Sequence, residues 1–467
     1  MLACAGVGAV GDGRAIVALA VPGAATLAAG AALILLARGH ARSQVETDPT
    51  TGFAAVTLAW VFAAAVGAVP MLAAGTFSSL IDAYFEAMSG FTTTGSTLLA
   101  EIEPEPEGVL MWRQLMQWLG GVGIVVLVVA IAPVSMPGMQ RAFFAEASGI
   151  TAERLTPRIV DTAKILAGIY AALTAACGVA YTIAGMNAFD SVAHAMSTVA
   201  TAGFSTKTAS IGHFDSVAIE TVAIVFMIAG GVNFALYWRA IRRRPLMPPL
   251  AEVLAYLAII AVSVAALTVS LMLADDVGNV AESLRASAFS VVTVATTTGY
   301  VTADFDLFNH FARLILLGLM IIGACAGSTA GGLKVSRAIL LAKSGGEEVR
   351  RQVHPRTVQV LRLGGRTFSE ETRRAVFSFF LVYVLIFAAG VLALGASGLD
   401  PVTAFSGTAA TLNLIGPGLG EVGAYESFEA FSPFARVVGS ILMLIGRLEI
   451  FTVVALLAAI FAFRARR

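Results

Sequence analysis

The stretch Gly90-Phe91-Thr92-Thr93-Thr94-Gly95-Ser96-Thr97 returns in variant form three more times along the chain. The variants are Val199-Ala200-Thr201-Ala202-Gly203-Phe204-Ser205-Thr206, Ala295-Thr296-Thr297-Thr298-Gly299-Tyr300 and Thr411-Leu412-Asn413-Leu414-Ile415-Gly416-Pro417-Gly418. What such loops offer chemically is oxygen, from backbone carbonyls and threonine hydroxyls. A loop whose carbonyls face one axis needs backbone angles closed to residues with a β-carbon, and glycine supplies them. Four such loops between apolar spans meet the needs of a filter built from carbonyl ligands, and the ion they imply is a monovalent cation, potassium first. The candidate ligands are Thr93, Thr94 and Gly95; Thr201, Ala202 and Gly203; Thr297, Thr298 and Gly299; and Leu414, Ile415 and Gly416.

Such loops need a frame that excludes water, and the composition points to a membrane. Hydrophobic residues make up 58% of the 467 residues and charged residues 13%, against about 25% charged in soluble proteins. Apolar runs cover 15–36, 53–74, 109–132, 165–183, 219–238, 253–274, 314–325, 377–394 and 437–463. Most reach the ~20 residues that a spanning helix needs. The glycines at 95, 203, 299 and 416 stand 108, 96 and 117 residues apart. Around each the order is apolar span, short helix, polar loop, apolar span, which is an internal repeat. Asp82, Asp190 and Asp400-Pro401 are the predicted N-caps of three short helices, with Glu282-Ser283 a weaker candidate in the third repeat. At about 11–13 residues these helices are too short to span, so they should enter the membrane and return. Their C-terminal ends carry partial negative charge and would favour a cation on the axis.

Formal net charge is zero, but the signs are segregated. With the loop after the first apolar run taken as cytoplasmic, the cytoplasmic segments are 38–48, 137–158, 239–245, 343–374 and the tail from Arg464. They hold Arg239, Arg242, Arg243, Arg244, Lys343, Arg350 and Arg351 among others, while the opposite loops hold Glu101, Glu103, Glu105, Glu107, Asp304, Asp306, Glu421, Glu426 and Glu429. Lys and Arg favour the cytoplasmic side, which puts the N-terminus outside and the C-terminus in the cytoplasm. The acidic loops either solubilise the outer face or concentrate cations at its mouth. Cys4, Cys177 and Cys325 have no metal-ligand spacing, and the histidines form no pair at ligand spacing. Gly120-Gly121-Val122-Gly123 lies inside an apolar span, not between a strand and a helix, so it is no nucleotide-binding motif. No feature calls for nucleic acid, and lipid is the expected surrounding.

The chain resembles the Trk/Ktr/HKT superfamily of potassium transporters, most closely its TrkH branch. Beyond the four loops, the resemblance rests on Trp112 to Gly123 (WRQLMQWLGGVG), Gly323 to Lys334 (GACAGSTAGGLK), Val353-His354-Pro355-Arg356 and Gly446 to Thr452 (GRLEIFT). It covers roughly residues 45 to 467. It implies an all-α integral membrane protein with four M1-P-M2 units in pseudo-fourfold array around one pore. It also implies a homodimer and a cytosolic nucleotide-binding regulatory subunit of the TrkA type, so that any nucleotide sits on the partner. No covalently bound cofactor is expected, and K+ is the transported ion. The repeats are placed at 49–135, 136–246, 247–345 and 346–467, with 1–48 an N-terminal transmembrane helix and cytoplasmic loop. Two departures stand out. The family usually begins with two extra helices, whereas here only 15–36 is long enough, and Leu414 stands where the family often has a polar residue. In related plant proteins a serine in the first loop accompanies sodium transport; this chain has Gly95, which favours potassium.

Two more features bear on conduction. Glycines break the span from 311 to 341 between Gly323 and Gly332, each destabilising helix by up to ~1 kcal/mol relative to alanine. Small residues there could serve close helix packing. The resemblance implies instead an intramembrane loop that obstructs the pore, with Gly327, Ser328, Thr329, Gly331, Gly332 and Lys334 as its gate residues. Arg447 lies in the last apolar span, where an unpaired arginine costs at least ~2.5 kcal/mol. It is read as a positive barrier below the filter, with pairing to Glu449 or a carbonyl as the structural alternative. Rival functions remain a sodium-permeable or proton- or sodium-coupled transporter, and an unrelated secondary transporter with broken helices. An enzyme would need clustered His, Asp or Glu within the spans, and none is evident in the sequence.

Overall fold

The computed structural model describes residues 1–8, 13–40, 49–131, 159–246, 249–274, 276–354, 362–363 and 366–450. The segment 137–158 and the tail from 464, both expected to be cytoplasmic, lie outside the described residues. The described chain is helical apart from a two-residue antiparallel hairpin, Arg362–Leu363 with Arg366–Thr367, which the sequence reading did not anticipate. Long helices are α2 (Gly13–His40), α3 (Pro49–Ala74), α5 (Glu107–Ile131), α6 (Ile159–Ile183), α10 (Pro249–Ala274) and α14 (Glu370–Ala396). The short α1 (Leu2–Gly8) packs on α2 and α5, a helix where only a short glycine-rich stretch was expected. Five described helices are long and apolar enough to cross a membrane, or six with one bent pair. Their outer faces stay apolar: Ile183, Leu273 and Leu392 are 82%, 84% and 74% exposed, as lipid-facing positions require.

Four short helices fill the interior: α4 (Leu80–Phe91), α7 (Ala188–Val199), α11 (Val280–Ala295) and α15 (Pro401–Leu412). At 12 to 16 residues and 1.5 Å per residue they reach about 18–24 Å, short of the ~30 Å hydrocarbon layer. Asp400 caps α15 as expected, accepting from the N–H groups of Val402 and Thr403. The other three caps lie three residues earlier than expected. Ser79, Asn187 and Asn279 accept the first N–H groups, and Asp82, Asp190 and Glu282 take the third helical position. An acidic residue there complements the helix dipole, and Glu282 closes a capping box with Asn279.

After each short helix comes α8 (Val217–Gly230), α12 (His310–Ile322), α16 (Pro433–Arg447) or the longer α5. α5 packs on α7, α8 on α11, α12 on α15, and α16 returns to α4, so the contacts close a ring in chain order. Glycines allow the approach. A β-carbon on Gly120, Gly230 or Gly446 would press on the carbonyl oxygens of Phe91, Val199 and Leu412, each the fourth residue before Gly95, Gly203 or Gly416. The run 219–238, expected as one span, is broken: α8 and α9 (Phe234–Ile241) meet at 89°. Gly231 ends α8 and the Asn233 side chain caps α9 through the Ala235 N–H, so the break has its own stop and start signals. The break expected in the next unit is present, between α12 and α13 (Val335–Val353).

Candidate functional site

The four short helices end in one way. Thr93, Thr201, Thr297 and Leu414 follow the C-caps with φ of 57°, 50°, 55° and 59°. The next N–H, of Thr94, Ala202, Thr298 or Ile415, bonds back to the carbonyl of Ser89, Ser197, Thr293 or Ala410 at 2.8–3.1 Å. This is the Schellman turn, whose left-handed position usually belongs to glycine; a residue with a β-carbon there costs about 1–2 kcal/mol. Gly95, Gly203, Gly299 and Gly416 then turn the chain outward at φ of 86°, 82°, 80° and 100°. A β-carbon on Gly95 would collide with the Ala202 carbonyl oxygen, one on Gly203 with that of Thr298, and one on Gly299 with that of Ile415. On Gly416 it would meet the Thr94 oxygen at 3.1 Å. Each glycine therefore faces the carbonyl preceding the next glycine, and the fourth faces the first. All four glycines line one outer cavity.

The loop hydroxyls have separate tasks. Those of Thr94 and Thr298 meet Thr92 and Thr296 at 2.7 Å and hold the loop to its own helix end. Thr201 meets Thr329 at 3.0 Å, and Thr297 accepts the Gly331 N–H at 2.8 Å. The Thr93 hydroxyl is buried without a partner among the described residues. Leu414, 1% exposed, supplies apolar packing in the fourth quadrant.

Buried polar residues brace the loops from behind. Glu86 pairs with Arg113 at 2.8 Å, both side chains fully buried, and also accepts from the Leu98 N–H and the Thr97 hydroxyl. Removing either partner would strand a buried charge, a loss of about 3–5 kcal/mol. His194 donates from Nδ1 to the Asp190 carbonyl (2.9 Å), leaving Nε2 to accept from Ser205 (2.9 Å). Of the outer acidic residues named above, only Glu426 lines the outer cavity among those described, together with Lys207. Glu103 binds Thr208, Glu105 binds Thr76, and Asp306 accepts the Gly420 N–H, with burial raising its carboxyl pKa. These three carboxylates therefore tie loops together.

Beneath the loops lies the glycine-rich break. The Thr329 hydroxyl reaches the Val199 and Gly230 carbonyls at 3.1 and 3.2 Å, and Gly331 packs against the Asn413 carbonyl with no room for a β-carbon. Gly332 (φ 76°) abuts Gly323, and the Lys334 ammonium donates to the Ala330 carbonyl. Gly327 accepts the Phe234 N–H, and Ser328 donates to Cys325. Arg447, 3% exposed, donates to the carbonyls of Thr329 (2.9 Å) and Gly120 (2.7 Å). Glu449 pairs with Arg337 at 2.5 Å instead, so of the two structural partners envisaged for Arg447 the carbonyl is the one found. Gly327, Ser328, Gly331, Gly332, Lys334 and Arg447 line a second cavity, on the other side of the four loops.

Sequence reasoning missed Glu252 and Gln117. One carboxylate oxygen of Glu252 accepts the N–H groups of Ala326 (2.8 Å) and Ser336 (3.1 Å), the two shoulders of the broken segment. Its signal was a lone acid at the start of an apolar helix, which reads equally well as a dipole charge.

A family profile described as TrkH, cation transport protein, matches residues 18–248 and 246–462. The chain belongs to the TrkH family. It is 42% identical over 437 residues to the Trk system potassium uptake protein TrkH of Halomonas elongata, covering 92% of this chain and 89% of that one. It is 39% identical to the protein of the same description from Escherichia coli K12, over 89% and 86% of the two chains. The crystal structure of the potassium transporter TrkH from Vibrio parahaemolyticus superposes with a TM-score of 0.88 at 37% identity, covering 98% of this chain and 94% of that one. Membership makes the chain a multi-pass cation transport protein and not an enzyme.

Proposed function

We propose that this TrkH-family chain takes up potassium across the bacterial inner membrane through a filter formed by the four glycine loops. One observation carries the reading: the four glycines share a cavity wall, each set against a carbonyl of the next loop, last to first. The relatives described as potassium uptake proteins supply the ion. In this reading 49–135, 136–246, 247–345 and 346–467 are M1-P-M2 repeats in pseudo-fourfold array around one pore, and 1–48 is an N-terminal transmembrane helix with its cytoplasmic loop. Carbonyls of the four loops replace the ion's hydration shell, and the C-terminal ends of α4, α7, α11 and α15 place partial negative charge around it. The segment Gly327 to Lys334 obstructs the path below, where Arg447 and Lys334 add positive charge. The chain works as a homodimer with a TrkA-type cytosolic subunit that binds the nucleotide, its own N-terminus outside and its C-terminus in the cytoplasm.

Expression in a potassium-uptake-deficient bacterium should restore growth at low potassium, and more strongly with the cytosolic subunit co-expressed. A folded, membrane-inserted protein that fails to rescue growth with or without that subunit, yet carries sodium in vesicles, would overturn the choice of ion.

A further inference from the structure

Gln117 breaks the symmetry of the ring. Three residues after it comes Gly120; Met227, Met320 and Met443 stand at the same spacing before Gly230, Gly323 and Gly446. All four side chains are fully buried, so one repeat carries an amide where the other three carry a thioether of similar length. The amide has a fixed orientation. Its Oε1 accepts from the Phe204 N–H (3.2 Å) and the Ser197 hydroxyl (2.7 Å), and its Nε2 donates to the Ala202 carbonyl (2.7 Å). A backbone N–H can only donate, which settles which end of the amide faces Phe204. The Ala202 carbonyl is the member of the filter ring set against Gly95. Its counterparts on Thr94, Thr298 and Ile415 accept no hydrogen bond among the described residues.

Resting on the filter reading above, we infer that Gln117 is a specificity-determining positioning residue, which holds one of the four ring carbonyls partly away from the ion and makes that ring unequal. A carbonyl that already accepts an N–H offers a cation a weaker field and is less free to follow it. The repeat thereby trades potassium affinity for faster release, since conduction needs sites that bind without trapping.

Gln117→Met gives the first repeat the side chain of the other three at nearly constant volume. The reciprocal change, Met443→Gln, sets an amide on the helix that packs against the first repeat, whose ring carbonyl belongs to Thr94. Potassium and sodium fluxes are measured in vesicles per folded molecule. Gln117→Met should lower half-saturating potassium and raise potassium-over-sodium discrimination, each by roughly three- to tenfold, the range of one net hydrogen bond. Met443→Gln should move both in the opposite direction. Wild-type values in both variants, or shifts of one sign in both, would overturn the inference. If Gln117→Met does not fold, Met443→Gln decides alone, and an unchanged half-saturation overturns it. A filter-glycine variant run in parallel separates the two claims. If its discrimination falls while the Gln117 and Met443 variants stay wild type, only this inference fails; if its discrimination also stays wild type, the filter reading itself fails.

Discussion

Gly299→Ser is expected to lower potassium-over-sodium discrimination by roughly tenfold or more in reconstituted vesicles. Gly299 sits at φ 80°, and a β-carbon there would run into the Ile415 carbonyl oxygen and the Pro417 ring. The left-handed conformation and the collision together cost about 1–3 kcal/mol, and the loop relieves them by moving the carbonyls that would bind the ion. The effect should be graded around the ring. Gly203→Ser and Gly95→Ser meet the carbonyls of Thr298 and Ala202 and should follow closely. Gly416→Ser, whose nearest neighbour is the Thr94 oxygen at 3.1 Å, should be mildest. Relative permeability is measured on monodisperse protein. Wild-type discrimination in both Gly95→Ser and Gly299→Ser would remove these loops as the filter.

Arg447→Gln should conduct potassium faster than the wild type, and faster than Arg447→Lys. At an effective dielectric of about 20 and a separation of roughly 8 Å, a fixed positive charge opposes a passing cation by about 2 kcal/mol, or roughly a thirtyfold slowing. The guanidinium also straps the Thr329 carbonyl to the Gly120 carbonyl, joining the glycine-rich segment to α5. Lysine keeps the charge and loses the double strap, so the two roles come apart. A slow lysine variant beside a fast glutamine variant identifies the charge as the barrier. Equal acceleration in both would assign the barrier to the strap, and a reduced folded yield with no gain in flux would make Arg447 purely structural.

Much of this architecture could be read locally. Glycine recurs in the four loops because each turns at a φ of 80–100°, two residues past the left-handed position that ends the short helix. The break between Gly323 and Gly332 was legible for the same reason. The caps were misread by three residues because Asp82, Asp190 and Glu282 satisfy the electrostatics of a helix start from its third position, while Ser79, Asn187 and Asn279 make the cap hydrogen bonds. The bend at Asn233 was hidden because apolar residues run through it on both sides. Partners between repeats were not legible. Gln117 and Ala202 lie 85 residues apart, and Arg447 and Gly120 lie 327 apart. No local pattern encodes contacts that exist only when the ring closes. The acidic outer loops suggested a field at the mouth, yet Glu103, Glu105 and Asp306 spend their carboxylates on neighbouring loops.

The most direct test of the central claim is an anomalous difference map from crystals of the folded protein soaked in rubidium or thallium, ions that replace potassium and scatter strongly. The account predicts density on the axis ringed by the carbonyls of Thr94, Ala202, Thr298 and Ile415, between the outer cavity and the segment from Gly327 to Lys334. Bound ion found only elsewhere, with that ring empty at saturating concentration, would contradict it.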